Sequence, residues 1–160
     1  MIHIVRGEIN AGKTSWMAAD FYRHSAADGF VCKKVFSSDQ HIGYDLEHLT
    51  SGERCRFIRK PGFLPDDWHE VAFLAGKYSF CAEGFAFAQR IADSAMSNGC
   101  QRFYIDEIGP LELMQQGFYN LLTNLLRQQE ADLVIAVRSS LVADVKKLFN
   151  IGEFEQINIV

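Results

Sequence analysis

The sequence predicts an α/β fold whose sheet is mainly parallel and carries an antiparallel hairpin, and three observations lead there. Residues 2 to 6 and 7 to 12 read as an apolar strand followed by a glycine-punctuated loop, and a helical pattern begins directly after them. Helical patterns then alternate with short apolar strands through the rest of the chain, which is the arrangement that packs helices over a parallel sheet. The run Leu133 to Val137 is apolar at every position and suits a strand buried on both faces.

In chain order, Met17, Ala18, Phe21, Tyr22 and Ser25 recur at helical spacing and predict a helix from about Lys13 to Asp28, closed by Gly29 as a left-handed cap. Phe30 to Phe36 reads as a second strand. Ile42, Tyr44 and Leu46 alternate with Gly43, Asp45 and Glu47 as a third, and Thr50-Ser51-Gly52 turns the chain back through Cys55 to Ile58. Residues 60 to 76, with Pro61, Pro65 and the pair Asp66-Asp67, are expected to form a loop with one helical turn near Trp68 to Leu74. Tyr78 and Phe80 suggest a short strand. Phe85, Ala88, Ala92, Ala95 and Met96 support a helix from about Glu83 to Ser97, stopped by Asn98-Gly99. Arg102 to Asp106 is a strand, and Phe118, Leu121, Leu122, Leu125 and Leu126 mark an amphipathic helix. A last helix near Leu141 to Phe149 and an alternating strand from Phe154 to Val160 follow the buried run.

With 160 residues, 48% of them hydrophobic, and no linker or repeat, the chain is expected to make one domain, 1–160, with a core that needs no disulfide or metal staple. Its formal net charge of -4 disfavours nucleic acid and anionic membranes as partners. Cys32, Cys55, Cys81 and Cys100 lack the paired spacing of zinc or redox sites, so reduced thiols in a cytoplasmic protein are expected. No window is long and apolar enough for a membrane helix. His3, His24, His41, His48 and His69 show no metal-ligand spacing, and nothing in the sequence fixes the oligomeric state, a monomer included.

The chemistry is concentrated in two segments. Gly7-Glu8-Ile9-Asn10-Ala11-Gly12-Lys13-Thr14 is a complete GxxxxGK[ST] phosphate-binding loop (a Walker A motif) between strand and helix. The glycines let backbone amides turn toward phosphates, and the helix N-terminus adds partial positive charge where the anion rests. The expected nucleotide-binding segment runs from Gly7 through Ser15. Within it Lys13 reaches the β and γ phosphates, and the Thr14 hydroxyl ligates Mg²⁺. Phe103-Tyr104-Ile105 then delivers Asp106 and Glu107 to the carboxyl edge of the sheet, Asp106 as the second Mg²⁺ ligand and Glu107 to orient the attacking water.

Arg138 leaves the buried strand at the same edge and is the candidate γ-phosphate sensor, the alternative being a surface arginine. Arg54, Arg56 and Arg59 either close over phosphates or decorate an exposed strand. Asp39 and Asp45 are either acceptor-binding carboxylates or turn formers. The aromatics Phe63, Trp68, Phe73, Tyr78 and Phe80 offer a ring to stack on a base or simply fill the core. Asp106-Glu107-Ile108-Gly109 also fits the DxxG of regulatory GTPases, but no guanine-reading [NT]KxD follows.

Taken with the segment Gly43-Tyr44-Asp45-Leu46 through Gly52, with Ile105-Asp106-Glu107-Ile108-Gly109-Pro110-Leu111-Glu112-Leu113 and with Ile135-Ala136-Val137-Arg138, the phosphate loop makes the chain resemble the cancer-related nucleoside-triphosphatase family over nearly its whole length. The resemblance implies a P-loop three-layer sandwich of the RecA-like kind and Mg²⁺-dependent hydrolysis of several nucleoside triphosphates. It gives Lys13, Thr14, Asp106 and Glu107 the phosphate, metal and water roles. Glu8, Ile9, Asn10 and Ala11 depart from the usual Gly-Pro-x-Gly style of loop.

The expected activity is therefore hydrolysis of a nucleoside triphosphate such as ATP or GTP, with Lys13, Glu107 and Arg138 as the catalytic set. A small-molecule or nucleotide kinase and a slow-turnover nucleotide-binding switch are the alternatives, because the same loop and metal site serve all three.

Overall fold

In the computed structural model, which describes residues 1–160, every strand joins one nine-stranded sheet in the order β5-β6-β4-β3-β2-β7-β8-β1-β9. The chain runs β1 (Ile2–Gly7), α1 (Lys13–Phe21), β2 (Ala27–Ser37), β3 (Gln40–His48), β4 (Arg54–Arg59), β5 (Glu70–Leu74), β6 (Tyr78–Cys81) and α2 (Ala82–Ser97). It continues through β7 (Arg102–Ile105), α3 (Pro110–Leu113), α4 (Tyr119–Gln128), β8 (Asp132–Arg138), a 3₁₀ turn (Ser139–Leu141), α5 (Val142–Leu148) and β9 (Glu155–Asn158).

The strands β2, β7, β8, β1 and β9 pair in parallel, and β3 to β6 extend the sheet in antiparallel sense. The expected hairpin is thus only the first part of a four-stranded extension.

Two apolar clusters, one on each face, make the three layers. The smaller joins Met17 of α1 to Val5, Val31, Tyr104, Val134 and Ala136. The larger packs Phe87, Ile91, Leu121, Leu122, Leu125 and Val145 from α2, α4 and α5 against Ile4, Phe30, Phe103, Ile105 and Ile135. Adjacent strand residues fall in different clusters because side chains alternate across a sheet, as Phe103, Tyr104 and Ile105 do. A fully buried leucine such as Leu122 contributes about 2 kcal/mol.

Three local expectations are corrected. The first helix stops at Phe21, seven residues before Asp28, because Ala27 to Phe30 pair with Arg102 to Ile105 of β7 and sheet pairing outweighs helical periodicity there. Gly29 is consequently no helix cap. It lies inside β2 at φ 143°, where a Cβ would stand 2.6 Å from the Tyr104 nitrogen. The helical turn expected near Trp68 to Leu74 is the strand β5, its Ala72 and Leu74 packed on the core while Val71 and Phe73 are exposed.

One consequence of the register matters for function. Only Ala27 to Phe30 of β2 pair with β7, whereas the pairing of β2 with β3 runs on from Phe30 to Ser37. The β2–β3 ribbon therefore projects past the end of β7, at the carboxyl edge of the parallel strands. No helix is long and apolar enough to cross a membrane.

Candidate functional site

Gly7 ends β1 in register with Arg138 at the end of β8, and the loop Glu8 to Gly12 crosses from there to the start of α1. Both glycines of the loop are needed sterically. A Cβ on Gly7 would press on the Ile159 carbonyl at 3.1 Å and on Ala11 at 3.3 Å, and Gly12 sits at φ 104°, in the left-handed region that L side chains avoid. Asn10 also adopts a positive φ, 62°, which asparagine tolerates better than most residues.

Lys13 is buried, and its ammonium donates to the Gly7 carbonyl at 2.9 Å and the Glu8 carbonyl at 2.7 Å, so it is folded back across the loop it serves. The Thr14 hydroxyl donates to Asp106 Oδ2 at 2.6 Å. The Cys32 amide donates to the same oxygen at 3.0 Å, and the Cys32 thiol donates to the Asp106 carbonyl. Burial raises the Asp106 carboxyl above its ordinary value, opposed by Thr14, by the Cys32 amide and by the charges of Lys13 and Lys33. Thr14 and Asp106 together present a hydroxyl and a carboxylate oxygen at one point. That all-oxygen pair fits Mg²⁺, which takes one or two protein ligands and keeps water or phosphate at its other positions.

Glu107 Oε1 faces Arg138 Nε at 3.5 Å, an ion pair without hydrogen-bond geometry. Burial, then the charge of Asp106, pushes the Glu107 carboxyl up, while Lys13 and Arg138 pull it down. Only three buried side-chain polar atoms in the protein lack a hydrogen-bond partner, and two of them are Glu107 Oε1 and Arg138 Nε. An acceptor and a donor thus stand unsatisfied side by side, a position suited to a water or a phosphate oxygen.

Lys13, Thr14, Asp106, Glu107 and Arg138 therefore all meet at one sheet edge, with Gly7 to Ser15 as its floor. The hairpin arginines do not join them. Arg54 pairs with Glu47, Arg56 with Asp67 and Glu83, and Arg59 is buried on Asp45. Asp45 is thereby committed to an ion pair. Of the aromatics Phe63 to Phe80, Trp68 donates to Ser79, Phe80 is core, and Tyr78 packs beside Tyr44 of β3.

Sequence reasoning missed Cys32, whose contribution is a backbone amide that leaves no side-chain signature. It also missed Glu112, whose two oxygens accept from the Gly109 and Phe118 amides at 2.9 and 3.0 Å and tie down the segment after Glu107. A signal for Glu112 did exist: an acidic residue three positions after Gly109 and just inside a helix started by Pro110 is the pattern of a capping box. A groove of about 620 Å³ between α2 and α4 holds Gln89, Asp93, Asn124 and Arg127 and lies apart from all of these groups.

A parallel sheet with a glycine loop opening α1, and a neighbouring strand delivering an acid to the Thr14 hydroxyl, defines the P-loop NTPase fold. A family model described as NTPase matches residues 3–159, and the chain belongs to that family.

Among curated proteins it is similar to nucleoside-triphosphatase THEP1 of Natranaerobius thermophilus, 27% identical over 118 residues, which are 72% of this chain and 63% of that one. It is also similar to nucleoside-triphosphatase THEP1 of Archaeoglobus fulgidus, 25% identical over 132 residues, 81% of this chain and 73% of that one. The chain thus aligns with less than two thirds of the first of these relatives and nearly three quarters of the second.

Among solved structures, THEP1 from the hyperthermophile Aquifex aeolicus superposes with a TM-score of 0.76 at 23% identity, covering 100% of this chain and 90% of that one. A human cancer-related nucleoside triphosphatase gives 0.69 at 23%, covering 98% and 87%. At such identities these two likenesses speak for the fold.

Proposed function

We propose that the protein hydrolyses nucleoside triphosphates, ATP and GTP among them, to nucleoside diphosphate and phosphate with Mg²⁺. The observation that carries this reading is the unsatisfied pair Glu107 Oε1 and Arg138 Nε standing beside the Thr14–Asp106 contact. The triphosphate lies along Gly7 to Ser15 with the backbone amides and the start of α1 facing its charge. Lys13 exchanges the Gly7 and Glu8 carbonyls for phosphate oxygens. Thr14 and Asp106 would hold Mg²⁺, which would supply positive charge to the bound phosphates.

Glu107 accepts a hydrogen bond from the attacking water and takes its proton, and its raised pKa makes it a better base than an ordinary carboxylate. Arg138 faces the γ-phosphate and balances the charge that develops there. The four unpaired cysteines are compatible with a reducing cytoplasm as the place of action. The relatives named nucleoside-triphosphatase support the same chemistry.

Phosphate release from ATP and from GTP, with Mg²⁺ and then with chelator, is the test. Wild type should turn over only with the metal, and Glu107→Gln should lower kcat by roughly 10²–10⁴-fold while triphosphate still binds. Lys13→Ala should weaken triphosphate binding at least about tenfold. If wild type releases no more phosphate than Glu107→Gln, hydrolysis is rejected.

A further inference from the structure

The β2–β3 ribbon that overhangs the site carries a row of aromatic rings with free cations beside it. Phe36 and His41 have ring centroids 5.7 Å apart, His41 and Tyr44 4.8 Å, and Tyr44 and Tyr78 of β6 6.4 Å. Phe36 is 58% exposed, which is unusual for a phenylalanine at the end of a paired strand. His41 Nε2 donates to the Gly43 carbonyl at 2.8 Å, which holds its ring in the row and leaves Nδ1 as an acceptor. Lys34 lies directly across from Tyr44 in the β2–β3 register, and the Lys60 amide donates to the Ile42 carbonyl of β3. No lysine of the protein takes part in an ion pair. Lys34 and Lys60 both depress the His41 pKa, after burial as the main cause, so both charges reach this row.

The row lies on one particular side of the phosphate loop. In the sheet order β2-β7-β8-β1-β9 the loop rises from β1, and the metal and water groups Asp106 and Glu107 follow β7. The γ end of a bound triphosphate therefore points toward β7 and β2, and its nucleoside lies away from them, toward β9. The aromatic row, on β3 and the far part of β2, faces the γ-phosphate and not the base. Phe30 is level with Ile105, so Tyr44 opposite Lys34 stands about 13 Å beyond the end of β7 at the usual rise per strand residue. The charges of Glu107 and Arg138 both act on the Tyr44 hydroxyl, so the inner end of the row borders the groups that face the γ-phosphate.

We infer that this face is an acceptor site: it binds a ring-bearing anion with a free hydroxyl, of the nucleoside monophosphate class, and lets the protein transfer the γ-phosphoryl group to that hydroxyl as well as to water. The inference rests on the triphosphate occupying the loop as proposed above. Rings stack on Phe36, His41 and Tyr44, and Lys34 and Lys60 match the anionic group. In the step, the acceptor hydroxyl oxygen bonds to the γ-phosphorus, the bond from that phosphorus to the β–γ bridging oxygen breaks, the diphosphate leaves, and the hydroxyl proton passes to Glu107.

The experiment uses the full chain and AMP, GMP, CMP and UMP as probes, with binding measured by calorimetry with and without a non-hydrolysable ATP analogue, and γ-³²P-ATP used to follow the label. At least one monophosphate should bind alongside the analogue, and label should appear on it. The double variant Phe36→Ala with Lys60→Glu should weaken that binding at least tenfold while leaving phosphate release from ATP alone unchanged.

Three results overturn the acceptor site: no monophosphate binding in either state, binding that only displaces the analogue, or equal binding by the double variant. Label found only in free phosphate rejects the transfer activity and leaves hydrolysis standing. Failure of the protein to bind the ATP analogue rejects the triphosphate reading instead, and binding of the probes without analogue then still reports on the face itself.

Discussion

Glu112 is 4% exposed, yet it is a carboxylate, and burial raises its pKa to about 7 even though the Phe118 and Gly109 amides both favour the charged form. Its folded value is above the ordinary 4.5, so the stability it contributes is fully present below pH 4.5 and is lost as pH rises through about 7. Glu112→Gln has no such titration. Urea unfolding at pH 5 and pH 7.5 should show wild type losing on the order of 3 kcal/mol relative to the variant across that window. Asp106 and Glu107 are also raised, but they are present in both proteins and cancel in the difference. Parallel pH dependences in the two proteins would refute the assignment. At this scale the site was mostly legible, since Lys13, Thr14, Asp106, Glu107 and Arg138 carry their chemistry in their side chains and in motif spacing. Cys32 was not, because a backbone amide is supplied equally well by nearly any residue.

Among the elements, those whose pattern is decided by one buried stripe were read correctly: α2 and α4 fall where their apolar residues put them, and β8 where an uninterrupted run demands two covered faces. The failures have separate causes, the first a partner distant in sequence. The segment after Phe21 keeps a helical rhythm, but β7 takes Ala27 to Phe30 as its neighbour, and Asp20 near the end of α1 is held by the Arg102 guanidinium and the Tyr104 hydroxyl at 2.8 Å each. Strand β5 was obscured because its outer residues Val71 and Phe73 are as apolar as its inner ones. The β2–β7 contact makes a sharp prediction. Gly29→Ala must place a methyl group 2.8 Å from the Tyr104 Cα, against backbone that cannot rotate away. The loss should be about 3 kcal/mol or more, seen as a lower urea midpoint. An unchanged midpoint would mean that β2 and β7 do not pair in this register.

For the whole molecule, the formal charge of -4 and the local site act in opposite directions on a triphosphate. Attraction has to come from Lys13, Arg138, loop amides and metal gathered at one edge, because the distant field repels. These groups come from near the start, the middle and the far end of the sequence, and only the order β7-β8-β1 brings them together. The unfolded chain therefore has no triphosphate site, and binding must stabilise the folded state by mass action. At a concentration of a non-hydrolysable ATP analogue about 100 times its Kd, the gain is about 2.7 kcal/mol. For a chain of this length that raises Tm by roughly 5–10 °C. Lys13→Ala at the same analogue concentration should show about half of this rise or less, since a tenfold weaker Kd leaves about 1.4 kcal/mol, and chelating Mg²⁺ should reduce it in wild type. An equal rise in wild type and Lys13→Ala would place the nucleotide somewhere other than the loop, and would undo the hydrolysis reading and the orientation on which the acceptor site depends.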